Sequence, residues 1–314
     1  MQHRSAGLVY AQLNALLAGL AFATGDCVVD VISGVRYAAL AYLIAAPVNT
    51  ILWSLTHAGV LPKLHAEGTG GASAKMPAGA WLWLIVHSLC SVGGIAFLWS
   101  GMALVDAAIG SLLSRLELVV AVVLGLFWLG ERFSRLQWLG LALTVAGVIY
   151  MRWTVLAGEP LGFIYLLSAA LMFGLAEVTG KVALQTIPVH RLVLIRAWLM
   201  LLVLGAITLT FEHHWTPLTP ALWGWLIASA LLGPVLSRNS YMLALSFLPV
   251  SLVVLLNQTQ PVYAAAAAFL IKGDVPAPQT YAGGLAILLG IAVLAWGQLN
   301  RRAADQPAST GASP

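Results

Sequence analysis

The chain has 314 residues, of which 61% are hydrophobic and 8% charged, with a formal net charge of +4 at pH 7 and a mean hydropathy of +0.92. So few polar groups cannot cover a soluble globule of this size, so a soluble domain is excluded and an integral membrane protein is required. Cys27 and Cys90 lie inside apolar runs without metal-type spacing and read as core thiols, which gives neither a disulfide framework nor a redox compartment.

Apolar runs of about 20 residues, the length a hydrocarbon core demands, lie near 7–31, 37–58, 81–103, 107–129, 134–153, 161–184, 190–211, 221–245, 250–271 and 278–299. They predict an all-α integral membrane protein with ten transmembrane helices. At the start of the first run, Arg4, an apolar stretch and Ala21-Phe22-Ala23 imitate a secretory signal with a cleavage site. Against cleavage, a shift of 151 positions pairs Leu16 with Leu167, Phe22 with Phe173 and Asp26 with Glu177, so the first run reads as the partner of the sixth. Residues 62–79, rich in Gly, Ala and Lys, read as a mobile loop. The tail 301–314 opens with Arg301 and Arg302, turns small and polar, and is expected to be disordered.

Basic residues set the expected orientation, because translocated loops are poor in Lys and Arg. With both termini cytoplasmic, Arg4, Lys63, Lys75, Arg132, Arg135, Arg191, Arg301 and Arg302 lie inside, against Arg36, Arg152 and Lys272 outside. Trp81, Trp83, Trp128, Trp138, Trp153, Trp215, Trp223 and Trp296 fall near run ends, as an interfacial aromatic belt requires.

Residues Glu117 to Gly147 recur in register as Gln260 to Gly290, superposing Gly130 on Gly273, Glu131 on Asp274, Gly140 on Gly283 and Gly147 on Gly290. The chain therefore divides into a five-helix repeat at 1–155, with its loop at 60–80, a second at 156–300, and the tail. Five is odd, so the copies enter the membrane from opposite sides, the inverted-repeat construction of alternating access. Gly140 and Gly147, like Gly283 and Gly290, are seven apart and share a helical face that permits close backbone approach. Glu131 and Asp274 read as connector acids at helix ends.

Ala103-Leu104, Leu113-Ser114-Arg115-Leu116-Glu117, Leu129-Gly130-Glu131-Arg132-Phe133-Ser134, Gly140 and Ala146-Gly147-Val148 resemble the EamA-type repeat of the drug/metabolite transporter superfamily. The second half supplies Ala244-Leu245, Gln260-Pro261-Val262, Gly273-Asp274 and Gly290, so the resemblance covers essentially the whole chain. The pattern departs at Leu118, where a proline is common, although Pro261 keeps it in the second copy, and at Val275, where a basic residue often follows the acid. The resemblance implies ten helices, both termini cytoplasmic, residence in the plasma (inner) membrane, and a central cavity between the halves. It also implies export of small metabolites or drugs by proton exchange or facilitated diffusion.

Ionisable groups at bilayer depth must be paired, face water or neutralise. Asp26, Asp30, Glu117 and Glu177 are balanced by Arg115, Lys181, Arg196 and Arg238. This set suits either a fully paired interior or a zwitterionic substrate. Asp26 and Asp30 share a face, as do Glu177 and Lys181, but only the second pair neutralises itself locally. Asp26 either carries the coupling proton or pairs with a basic residue such as Arg196 or Arg238. Glu117 lies deep, opposite the neutral Gln260 in the repeat. Arg115, two residues away, points to nearly the opposite side of an ideal helix, which directs it to another span. Arg238-Asn239-Ser240-Tyr241 and Asn257-Gln258-Thr259-Gln260 are polar islands beside Pro234 and Pro261, expected either to face the cavity or to hydrogen-bond between helices. His87 and Ser91 add polar lining or pack. His213, His214 and Glu212 lack metal-ligand spacing.

These readings converge on a secondary transporter exporting small polar or amphipathic metabolites, amino-acid-like zwitterions first. Exporters of organic cations or drugs are the alternative, with a membrane enzyme or a non-transporting membrane partner behind them. The expected substrate residues are Glu117, Arg115, Arg238, Asn239, Tyr241, Asn257, Gln260 and His87, and the proton-coupling residues Asp26, Glu177 and Glu117. The expected partners are a small molecule, protons if flux is coupled, and the lipid bilayer, with a homodimer left open. No cofactor, metal or nucleic acid is expected.

Overall fold

The computed structural model describes residues 2–58, 78–129, 134–154, 159–183, 187, 189–212, 215–247, 253 and 256–305. Lys63, Lys75, Gly130, Glu131, Arg132, His213 and His214, most of the predicted 62–79 loop and the end of the tail lie outside the described residues, as do the side chains of Arg4, Trp128 and Lys181. Every regular element among the described residues is helical.

In chain order the helices are α1 (Gln2–Val29), α2 (Gly34–His57), α3 (Ala78–Met102), α4 (Ala107–Ser114), α5 (Leu116–Leu129), α6 (Arg135–Thr154), α7 (Pro160–Ala183), α8 (Val189–Phe211), α9 (Pro220–Ala230), α10 (Arg238–Phe247), α11 (Gln260–Lys272) and α12 (Pro278–Asp305). Among the described residues, seven helical stretches are long and apolar enough to cross a membrane, and Arg135–Met151 is a shorter apolar one. Two predicted runs are interrupted. The fourth breaks at Arg115 between α4 and α5, where Arg115 N–H donates to the Leu112 carbonyl at 3.1 Å and Leu118 N–H to the Arg115 carbonyl at 3.2 Å, a local tightening of the helix.

The eighth run continues from α9 through a π-helical turn, Leu231–Ser237, into α10. Pro234 has no N–H to offer the carbonyl one turn back, so the ladder widens and Arg238 N–H reaches the Gly233 carbonyl. α11 starts after a turn at Gln258 and Thr259, the positions that a shift of 143 aligns with the break at Arg115 and Leu116. The first break therefore forms with Leu118 where the second copy carries Pro261. Gly273 closes α11 in the left-handed region at φ 78°, which a residue without Cβ adopts freely, its N–H donating to the Phe269 carbonyl at 2.9 Å. α12 runs on through Arg301 and Arg302 to Asp305, past the expected start of the tail.

α1 packs against α9, the π turn, α10 and α11, while α7 packs against α3 and α5. α2 lies on α8, and α6 on α12. Exchanging α1 for α7, α2 for α8, α3 for α9–α10, α4–α5 for α11 and α6 for α12 maps these contacts onto one another. The α6–α12 seam is built on the four phased glycines. A Cβ on Gly140 would stand 2.7 Å from the Gly290 carbonyl oxygen, and one on Gly147 2.9 Å from that of Gly283.

Large apolar side chains cover the exterior, with Leu270 81%, Phe211 75% and Leu209 73% exposed. Asn14, His87, Arg196, Asn257 and Gln260 are buried instead. This arrangement, apolar outside and polar within, suits lipid rather than water.

Gly290→Val inserts a side chain whose Cβ would lie 2.6 Å from the Thr144 nitrogen and 2.7 Å from the Gly140 carbonyl oxygen. The expected loss is ~1–3 kcal/mol, as for overpacked contacts, read as a lower midpoint of thermal unfolding in detergent. An unchanged midpoint refutes the seam as a close-packed contact.

Candidate functional site

A cavity of about 280 Å³ opens between the two sets of helices, lined from every helix or helix break except α6 and α12. The glycine seam thus stands aside from the site, holding the scaffold. Of the expected residues, Arg115, Glu117, Glu177, His87, Arg238, Tyr241, Asn257 and Gln260 all line this space. Two expected residues do not. Asn239 turns toward α2, donating to Asn49 Oδ1 at 3.1 Å and to the Val235 carbonyl at 2.8 Å. Its amide joins helices and helps satisfy the backbone disturbed by the π turn, where Asn49 also donates to the Pro234 carbonyl at 3.3 Å. Asp26 lies near one end of α1, outside the lining.

The break at Arg115 corrects one expectation. A continuous helix would point Arg115 and Glu117 apart, but the interrupted backbone brings Arg115 Nη2 to 3.7 Å from Glu117 Oε1. Glu117 is also within electrostatic range of Glu177 and Arg238. The Arg238 guanidinium lies over the Tyr241 ring at 5.6 Å from its centroid. His87 Nδ1 meets the Ala176 carbonyl at 2.8 Å, so this ring is both a packing group and part of the lining. Asn257 likewise serves both purposes, its Oδ1 accepting from Asn14 Nδ2 at 2.7 Å, while Asn14 Oδ1 accepts from Ser237 Oγ at 2.7 Å.

Sequence reasoning did not assign Arg196 to the site, although it singled the residue out as an intramembrane charge. Arg196 is buried, lines the cavity and donates from Nε to Ser91 Oγ at 2.9 Å. The aromatic wall formed by Phe22, Tyr37, Trp99 and Phe173 also escaped notice, since apolar rings in apolar runs carry no signal of where they face. Trp99 stacks obliquely on Tyr37 and Phe22, with centroid separations of 4.2 and 5.7 Å. The Tyr37 hydroxyl is paired with Ser229, which donates to the Ala21 carbonyl at 2.9 Å. Buried nitrogens without a hydrogen-bond partner cluster around the same cavity: Nε of Arg115 and Arg238, and Nε2 of His87 and Gln260. Such groups cost about 1–3 kcal/mol each when left unsatisfied, which makes this lining suited to receiving a polar guest.

Beyond the cavity the cross-chain pairing is more complete. Lys272 at the end of α11 donates to Asp26 Oδ2 at 2.6 Å and Asp30 Oδ2 at 2.7 Å. Asp26 therefore pairs with neither Arg196 nor Arg238. The sequence reading missed this because Lys272, at the rim of an apolar run, counts there only toward orientation. Nearby connections are joined in the same way. Arg36 donates to the Thr216 carbonyl at 2.8 Å and lies 3.9 Å from Glu212, while Ser33 donates to Glu212 and the Arg36 guanidinium covers the Trp215 ring at 4.7 Å. Burial pushes the Glu212 carboxyl above its usual range, and Arg36 pulls it back. No cluster of metal-ligating residues occurs among the described residues.

The sequence pattern of the EamA-like transporter family matches residues 5–153 and 160–296. An uncharacterized transporter of Synechocystis sp. is 26% identical over 221 residues, covering 63% of this chain and 60% of that relative. The protein RarD of Escherichia coli is 34% identical over 77 residues, 23% of this chain and 25% of its own. An uncharacterized transporter of Vibrio cholerae is 29% identical over 141 residues, 44% and 45% of the two chains. The matched stretches thus cover less than two thirds of the length of each of these relatives. A solved crystal structure superposes with a TM-score of 0.63 over 96% of this chain and 100% of its own at 18% identity, so the two share a fold.

Replacing Lys272 with Met leaves two carboxylates four residues apart without their shared cation. Because Asp30 remains 55% exposed at its side chain, the expected loss is ~1–3 kcal/mol rather than the ~3–5 kcal/mol of a fully buried pair. Adding Asp26→Asn recovers part of the loss. Additive effects of the two substitutions on the unfolding midpoint would rule out direct pairing.

Proposed function

We propose that the chain, which belongs to the EamA-like transporter family, exports small polar or amphipathic metabolites across the plasma membrane by alternating access. Amino-acid-like zwitterions are the leading cargo. The observation that carries this reading is the lining of the cavity. It holds three guanidinium groups and two carboxylates, with unpartnered buried nitrogens and an aromatic wall beside them. A zwitterion offers a carboxylate to Arg238 or Arg115 and an ammonium to Glu177 or Glu117, while its side chain rests against Phe22, Trp99 and Phe173. Guanidinium groups recognise carboxylates by paired hydrogen bonds, which fixes orientation as well as charge.

The reading uses ten spans in two inverted five-helix repeats, with both termini cytoplasmic. The exchange symmetry of the helix contacts supports this construction, as does the recurrence of a helix interruption at equivalent positions bordering the cavity. Asp26 enters the mechanism away from the cargo. A proton on this carboxylate removes its charge attraction to Lys272, and that contact joins α1 of one half to α11 of the other. Protonation is thereby tied to separating the halves at that end, while Glu117 and Glu177 sense proton and cargo within the cavity. Organic-cation export is the second reading, favoured by two carboxylates beside aromatic rings. The excess of guanidinium groups ranks it below zwitterions.

Flux into proteoliposomes, screened over amino acids, nucleosides, organic cations and sugars, tests the proposal. Amino-acid flux above empty vesicles is expected, and movement of organic cations alone would replace the leading reading with the second. Arg238→Gln should raise KM at least about tenfold, because a charged hydrogen bond contributes ~1.5–3 kcal/mol. Asp26→Asn should retain cargo binding while losing flux driven by a pH gradient. Unchanged pH-driven flux removes Asp26 from coupling.

A further inference from the structure

Arg196 and Arg238 are not needed in equal measure by a neutral zwitterion, which brings one carboxylate. Arg196 comes from α8 and Arg238 from α10, and both line the same cavity. The two guanidinium groups are within electrostatic range of one another and of His87, with Glu177 in range of Arg196 and Glu117 in range of Arg238. None of the ion pairs among the described residues includes either arginine. Arg196 is held in place by the neutral Ser91 and Tyr42 hydroxyls, and Arg238 by the face of Tyr241, while the Arg238 Nε has no acceptor. Two like charges brought together at bilayer depth repel, and the two carboxylates of the lining are outnumbered by its three guanidinium groups, so an excess of positive charge persists until an anion lies between them.

The charge balance of the lining points the same way. Glu117 is committed to Arg115. One remaining carboxylate, Glu177, stands against two remaining guanidinium groups, Arg196 and Arg238. A neutral zwitterion leaves that excess in place, whereas a cargo carrying one net negative charge removes it. Guanidinium groups also meet planar carboxylates edge-on through two parallel N–H···O bonds, which an ammonium cannot do.

We propose that Arg196 and Arg238 form an anion-binding subsite that reads a second acidic group on the cargo, so that amino dicarboxylates are preferred over neutral amino acids. The inference rests on the amino-acid reading of the cavity and narrows it. Arg238 and Arg196 share the added carboxylate, Arg115 and Glu117 border the α-carbon, and Glu177 receives the ammonium group.

L-glutamate and L-glutamine differ by one ionised oxygen in place of an amide and are otherwise nearly the same size, so they isolate this charge. The full-length protein in proteoliposomes is expected to take up labelled glutamate with a kcat/KM at least about tenfold above that for glutamine, at equal membrane potential. Arg196→Gln should reduce the glutamate-to-glutamine ratio about tenfold, whatever the total rate. Arg196→Lys, which keeps the charge but not the fork, should retain part of it. Each variant is checked for a single peak in detergent gel filtration, and glutamate binding to purified protein is followed in parallel by tryptophan fluorescence, Trp99 being in the wall. A variant that fails the gel-filtration check is replaced by Ser91→Ala, which removes one brace of Arg196 and is expected to lower the same ratio. Equal flux of the two amino acids in the parent protein overturns the subsite. So does a ratio that survives Arg196→Gln while both fluxes fall together, the mark of a structural role. Absence of flux and binding for both compounds, beside transport of an organic cation, overturns the amino-acid reading itself.

Discussion

A bilayer supplies no hydrogen-bond partners, and the chain is arranged around that fact. Every polar side chain placed at depth must turn toward protein or toward an internal wet space. Leu209, Leu270 and Phe211 can face outward at little cost, whereas Asn14, His87, Arg196, Asn257 and Gln260 cannot. The central cavity is the consequence. It forms where the polar residues of many helices converge, and it persists because they do not satisfy one another completely. Four buried nitrogens without partners are the residue of that incomplete pairing. In a core built only for stability they would be a liability of several kcal/mol. In the proposed transport cycle they are the binding capacity of the cavity.

The helices reach this arrangement by being broken in the right places. The interruptions at Arg115, in the π turn around Pro234 and before Gln260 all border the cavity. Each removes regular backbone pairing from a segment that faces other polar groups rather than lipid, where the freed groups can be tolerated. Among the described residues the other helices are uninterrupted, and glycines bring several of them close, Gly19 against Ala264 and Gly34 against the Trp99 backbone among them. The separation is clear at α6 and α12, whose glycines bring two backbones into contact and which contribute nothing to the cavity lining. α6 and α12 thus serve the scaffold, and the interrupted helices line the cavity.

Much of this was legible in the sequence, because lipid makes two signals strong. Apolar runs of fixed length mark the helices, and the glycine phase marks the seam. Polar residues inside those runs mark the cavity, so that Arg115, Glu117, Glu177, Arg238, Tyr241, Asn257 and Gln260 could be placed before any geometry was known. The failures have equally physical causes. Arg115 and Glu117 look divergent on an ideal helix, and only the break lets them meet. Asn239 follows Arg238 by one residue but turns to α2, because a π turn and the surrounding carbonyls claim its amide. Lys272 stands at the edge of an apolar run, where its reach back to Asp26 has no local trace. Trp99 and Phe22 are chemically indistinguishable from lipid-facing rings until the fold turns them inward.

Two charge systems therefore coexist with different degrees of completion. At one end, Lys272 with Asp26 and Asp30, and Arg36 with Glu212, tie segments of the two halves through paired, partly exposed charges. In the cavity the charges are less paired: Arg115 and Glu117 meet at 3.7 Å, while Arg196 and Arg238 enter no ion pair among the described residues. This difference fits the proposed alternating-access cycle. Partly exposed pairs contribute only modestly, about 0–1 kcal/mol when fully solvated and more as burial increases, so water can replace them when the halves part. The Arg196 and Arg238 guanidinium groups have no ion-pair partner among the described residues. In the proposed cycle their desolvation is relieved when an anionic group arrives, and the energy of that encounter offsets the breaking of the end pairs. A fully paired cavity would bind a charged cargo weakly, and an end closed by pairs in which neither partner reached water would not reopen. In the proposed cycle, the difference in pairing between the two sets of charges, more than the identity of any one residue, lets one chain hold its cargo and still release it.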